Sequence, residues 1–153
     1  MAVRVYSCDS SDVQALKALL SYDPYLDPKL IPSSSEKDDK ALAKMDEGEK
    51  KKYYEEQANV KENIRMLKED PMMNIIFARQ DYVLKDGISL GLDRNKSYLY
   101  LKADDSFFGL AEKKLKENVK SAERVEEDTE RKIIESIDSE REAAEQGLGS
   151  IFG

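Results

Sequence analysis

The chain has 153 residues, of which 37% are charged and 40% hydrophobic, with a formal net charge of −7, no histidine, no tryptophan and one cysteine. This composition excludes Ser-His-Asp and Cys-His nucleophile systems, histidine-containing zinc sites and haem held through histidine. The single thiol excludes an intrachain disulfide, a CxxC redox pair and an all-cysteine zinc site.

Residues 2–7 (AVRVYS) alternate, Val3 and Val5 against Arg4 and Tyr6, and predict a short half-buried strand. Ser11 and Gln14 stand at capping-box spacing ahead of an apolar stripe at Val13, Leu16, Leu19 and Leu20, which predicts a first helix. Pro24, Pro28 and Pro32 restrict φ and remove backbone donors, so 22–35 reads as an irregular connection. Ser33 with Glu36 repeats the capping-box pattern, and 36–69 reads as a helical segment broken at Gly48. Its stripe of Tyr53, Val60, Ile64 and Leu67 suits a core or a partner helix, and Pro71 ends the run.

From Met72 the period changes to two. YVLK from Tyr82, the Asp86-Gly87 turn signal, ISLGL from Ile88, a polar turn at 93–96 and SYLYLK from Ser97 predict a meander of antiparallel strands, with Ile75, Ile76 and Phe77 extending the first. Asp104, Asp105 and Ser106 offer N-caps to a helix carrying Phe108, Ala111, Leu115 and Val119 on one face. Residues 122–126 (AERVE) read as an edge strand or a turn. Asp128 or Thr129 then caps a last helix, about 127–147, that carries Ile133, Ile134, Ile137 and Ala144 and stops at Gly147.

These elements predict an α+β fold, an antiparallel sheet of about four strands with helices packed on it. Where the hairpin strands merge, their order is the β-α-β-β-α-β of a ferredoxin-like split βαβ, with a helical insertion at about 33–70 and an added C-terminal helix. The length suits one domain, 1–153. The N-terminus lacks the apolar run of a secretory signal, and no stretch approaches ~18 apolar residues, so a cytoplasmic protein without a membrane partner is expected. Residues 104–153 hold 8 basic and 14 acidic groups, and this acidity speaks against duplex DNA, whose binding rests on cationic neutralisation of phosphates.

Three groups invite chemistry. Cys8, at the junction of the first strand and helix, is read either as a thiol activated by a helix N-terminus or as a small residue tucked beside a strand end. Asp38-Asp39, Asp104-Asp105 and Glu126-Glu127-Asp128 suit a hard cation or, more simply, helix caps. Gly147, Gly149 and Gly153 lack the following helix that a phosphate loop needs. No pair of acids and no nucleophile stands out, so the sequence names no catalytic, cofactor-binding or metal-ligating residue.

Two surfaces remain. The apolar tail Leu148, Ile151 and Phe152, following a highly charged helix, suits docking to a protein partner. Gln146 to Gly153 resembles the glutamine-to-aromatic peptide carried by partners of sliding clamps, with Gly149 in place of an aliphatic residue and Gly153 in place of the second aromatic. The run KSYLYLKA, Lys96 to Ala103, resembles the RNP1 strand of RNA recognition motifs in its basic first residue, in Tyr98 and Tyr100 and in Leu101. Ser97, Leu99 and Ala103 depart from that pattern. The resemblance implies stacking of single-stranded RNA on Tyr98 and Tyr100, with Tyr6, Lys96 and Lys102 beside them. The first expectation is therefore a non-enzymatic interaction or assembly protein, in its simplest form a homo-oligomer, and the alternative is a single-stranded RNA binder.

Overall fold

The computed structural model describes residues 1–32 and 37–152, with side chains as far as Gly147. Its centre is a pair of long strands, β1 (Ala2–Asp9) and, late in the chain, β3 (Lys96–Ala103), antiparallel with Ala2 opposite Ala103 and Asp9 opposite Lys96. β2 (Asp81–Asp86) lies antiparallel on the far side of β3, and β4 (Glu123–Arg124) pairs with β1 at Tyr6 and Ser7. The sheet order is β2-β3-β1-β4. Five α-helices complete the described residues: α1 (Val13–Ser21), α2 (Asp39–Ala43), α3 (Glu47–Glu69), α4 (Phe108–Asn118) and α5 (Glu127–Phe152). The class is the expected α+β, helices on a four-stranded antiparallel sheet. No described helix is long and apolar enough to cross a membrane.

Both faces of the sheet are covered. Tyr6, Cys8, Leu99, Leu101 and Ala103 point to one face, where Leu16 and Leu20 of α1 and Phe108, Ala111 and Leu115 of α4 close over them. Val5, Tyr98 and Tyr100 point to the other, beneath Ile133 and Ile137 of α5. Strand β1 is consequently buried on both sides at Val5 and Tyr6 rather than half-buried. Its alternation of Val with Arg and Tyr records two different covers, not an inside and an outside.

Several local expectations give way. The segment ISLGL is a run of turns, because Gly87 closes the hairpin by donating to the Lys96 carbonyl at 2.9 Å while its own carbonyl accepts from Leu92 at 2.8 Å. Gly91 takes a φ of +69°, the one positive φ among the described residues. Ile75 and Phe77 do not extend a strand either; they enter the α1–α4 core from a turn and a 3₁₀ helix (Phe77–Arg79). The first helix starts at Val13 after a 3₁₀ turn, without a side-chain cap, so Ser11 and Gln14 form no capping box. The break in the long helical segment falls before Gly48, where Asp46 caps α3 by accepting from the Glu49 amide at 2.7 Å. The Ser33–Glu36 box lies outside the described residues. The Tyr53–Leu67 stripe faces inward at its ends, with Tyr53 and Leu67 buried and Val60 and Ile64 half-buried. Finally, α5 does not stop at Gly147 but continues to Phe152, since each glycine costs a helix only about 1 kcal/mol and Gly147 does not take the left-handed φ of a C-cap.

The two glycines at positions 87 and 109 separate steric need from tolerance. A Cβ at Gly87 would stand 1.7 Å from the Asp93 carbonyl oxygen, whereas one at Gly109, in α4, meets nothing within 4 Å. In urea unfolding, Gly87→Ala is expected to cost more than about 2 kcal/mol. Gly109→Ala should gain up to about 1 kcal/mol from helix propensity alone.

Candidate interaction surfaces

Helix α5 determines what the second sheet face can do. It begins at the short strand β4, and Glu130 in its first turn reaches back to β1: Oε2 accepts from the Val5 amide at 3.0 Å and from Arg124 Nε at 3.0 Å, while Oε1 accepts from Arg124 Nη2 at 2.9 Å. Burial pushes the Glu130 carboxyl up, but Arg124 and the Val5 amide outweigh it and hold the group below the usual carboxylate range. One turn on, Ile133 and Ile137, spaced i and i+4, press on Val5, Tyr98 and Tyr100. The Tyr100 hydroxyl then donates to Asp138 Oδ1 at 2.9 Å. Past β3 the helix is tied to β2 by Lys85 Nζ to Glu140 at 3.0 Å and by both Arg141 Nη atoms to the Asp81 carboxylate at 2.9 and 2.8 Å. The Arg141 guanidinium also lies 5.1 Å from the Tyr100 ring centre, a cation–π contact.

The residues expected to stack on RNA do not converge on an open surface. Tyr98 and Tyr100 share a face, as their spacing requires, but α5 leaves them only 6% and 1% exposed. A base cannot stack on either ring while the helix is in place. Lys96 and Lys102 flank the same face, half-buried. Tyr6 sits opposite Leu99 in the register and therefore points to the α1–α4 side, where its hydroxyl donates to Glu112 Oε1 at 2.7 Å. Burial, and then the Glu112 carboxylate, push the Tyr6 phenol well above its ordinary value. The sequence reading missed Glu112, Asp138 and Arg141, which hold Tyr6 and Tyr100, and Glu130, which ties α5 to β1. The signal for α5 was the Glu130, Ile133, Ile137 spacing, an apolar stripe begun by an acid that has a strand edge to satisfy.

The tail residues Leu148, Ile151 and Phe152 belong to the last turns of α5. Because β2 is an edge strand, the helix overruns the sheet after Arg141, and the side chains of residues 142–147 are exposed. At 1.5 Å per residue the overhang to Phe152 is about 16 Å long.

The remaining candidates are accounted for by packing. Cys8 is 2% exposed, and burial, with Asp12 and Asp9 nearby, pushes its thiol up, away from the reactive thiolate. Lys114 is 9% exposed and donates to the carbonyls of Met72 at 3.1 Å and Ile75 at 2.8 Å, pinning α4 to the turn after α3. Asp38 caps α2 through the Ala41 amide at 2.7 Å, but Asp104 and Asp105 make no cap bond. Among the described residues no three metal-ligating side chains come together.

The ties between α5 and β2 have a pH signature. Arg141 holds the Asp81 carboxyl below its ordinary value, so this pair stabilises the fold above the unfolded carboxyl pKa and its contribution fades as pH falls through the lower folded value. Since both groups are partly exposed, Arg141→Ala should cost about 1 kcal/mol at neutral pH. The gap between the two proteins should close as the pH falls below the ordinary Asp range, read from thermal unfolding across the titration; an undiminished gap at low pH would assign the effect to the Tyr100 contact instead. Comparison of the chain with known protein families, with curated proteins and with solved structures finds no match.

Proposed function

We propose that the chain is a non-enzymatic interaction or assembly protein that docks through the C-terminal end of α5, a second copy being the simplest partner. The observation that carries this reading is the overhang. The sheet is already covered when the helix reaches Arg141, yet α5 continues through an exposed stretch to Phe152. That continuation ends in Leu148, Ile151 and Phe152, spaced three and four apart in a segment that is helical. Large apolar side chains at such spacing form one face of a helix, the form in which helices dock into grooves or on one another.

The coverage of Tyr98 and Tyr100 bears on the alternative, since stacking single-stranded RNA there would require α5 to leave and its polar ties to break.

Ending the chain after Gln146 removes the apolar face while leaving every described contact of α5 with the sheet intact. By sedimentation velocity, the full chain is expected to associate and the shortened chain to run as a monomer, with thermal unfolding of the dilute proteins unchanged. Replacing Leu148, Ile151 and Phe152 together by serine should act as the truncation does. Full association without the tail would overturn the reading.

A further inference from the structure

On the α5 side of the sheet, beside the helix rather than beneath it, lies an open polar cavity of about 380 Å³. Its floor is the cross-strand pair Ser7 and Tyr98. These residues are 5% and 6% exposed, yet neither hydroxyl has a hydrogen-bond partner. A hydroxyl left so in a dry interior costs about 1–3 kcal/mol. No partnerless side-chain oxygen is sealed from solvent among the described residues, so both hydroxyls open into the cavity that they line.

The wall is Val125, Glu126 and Thr129, where the chain passes from β4 into the first turn of α5. The Glu130 amide makes the first helical bond, to the Glu126 carbonyl at 2.8 Å, and the amides of Glu127, Asp128 and Thr129 before it have no acceptor in the chain. The Thr129 side chain lines the cavity, its hydroxyl also without a partner. Helix N-termini with unused amides attract negative charge. Here the buried unpartnered hydroxyls supply a second set of donors at the same place.

The charges decide what kind of anion fits. Lys96 at the rim lies 3.9 Å from Glu123, beyond hydrogen-bond distance, and its side chain is 35% exposed, so its ammonium keeps donors to spare. Arg124 is committed to Glu130. Glu123 and Glu126 both line the cavity, and Glu127 and Asp128 stand on the adjoining first turn of α5, 91% and 86% exposed. One added negative charge is met by Lys96 and the helix terminus; a second meets surrounding carboxylates. We infer that the cavity between Ser7, Tyr98 and the first turn of α5 binds the head group of a small monoanionic carboxylate ligand.

Acetate is the probe. In amide-correlation NMR at pH 7 and constant ionic strength, acetate should shift the amides of Glu127, Asp128, Thr129 and Ser7 together and saturably, on the order of 10 mM for so small a ligand. Ser7→Ala and Tyr98→Phe each remove one oxygen and should each weaken acetate at least about tenfold, with the rest of the spectrum in place as the check on folding. Sulfate or phosphate binding as well as acetate would overturn the monoanion assignment. Glucose producing the same shifts would make the cavity a polyol site, and no saturable shift with acetate would remove the site altogether.

Discussion

The carboxylate of Glu130 stands in for a missing strand. Strand β4 is two residues long, so the outer edge of β1 would end with the Val5 amide facing nothing, an unsatisfied donor in the middle of a buried strand. Val5 is 0% exposed, and leaving its amide unpaired there would cost about as much as the loss of a whole hydrogen bond. Val125 supplies a donor to the Val5 carbonyl at 3.1 Å, and Glu130 supplies the acceptor to its amide at 3.0 Å. A buried carboxylate is tolerable only when paired, and Arg124 provides the pair from β4 itself. The sheet edge, the start of α5 and the direction in which that helix leaves are thus fixed together by one side chain.

Once α5 starts at that point, its course over the sheet follows. The register aligns Val5, Tyr100 and Val83 in one row across the strands; Ile133 and Ile137 pack in the same cluster as the row, and Asp138 and Arg141 both meet Tyr100 at its middle. Tyr100 is the joint of this contact. Its ring is packed under the helix, its hydroxyl is spent on Asp138 and its face lies against Arg141. The phenol is pushed up to about 12, by burial first and by Asp138 second, so it remains a protonated donor wherever the protein is folded at ordinary pH. The feature that resembles an RNA-binding strand, two tyrosines alternating with leucines, is here the floor of a helix–sheet interface.

What was legible in the sequence was local, and what was missed depended on distance along the chain. The alternation in residues 2–7, 82–85 and 97–102 and the three-four spacing of α1, α4 and α5 identify elements whose cause lies within ten residues. Whether Tyr6 shares a face with Tyr98 is a different kind of question. It depends on the pairing of Tyr6 with Leu99, and nothing within either strand specifies that register across more than ninety intervening residues. ISLGL alternates like a strand, but two hydrogen bonds at Gly87 and the φ of Gly91 turn it. Asp46 rather than Gly48 divides the helical segment because a cap provides an acceptor, while a glycine only lowers propensity. Of the candidate residues, Tyr98, Tyr100, Lys96 and Lys102 lie on the expected strand, β3, but their cover was not legible, since the stripe of α5 shows that the helix packs and does not show on which face.

The length of α5 is the last constraint. Strands about 4.8 Å apart make a four-stranded sheet about 15 Å wide between its outer strands, and a helix rising 1.5 Å per residue crosses that in about ten residues. The stretch from Glu130 to Arg141 does so, and its contacts with Arg124 of β4 at one end and Asp81 of β2 at the other mark the crossing. The helix nonetheless runs from Glu127 to Phe152. Stability explains the crossing and the turn before it, which sets Glu130 on the Val5 amide, but not the exposed continuation past Arg141. Chain that burial does not require is ordered at the expense of conformational entropy, and the C-terminal end of α5 is where this fold incurs that cost.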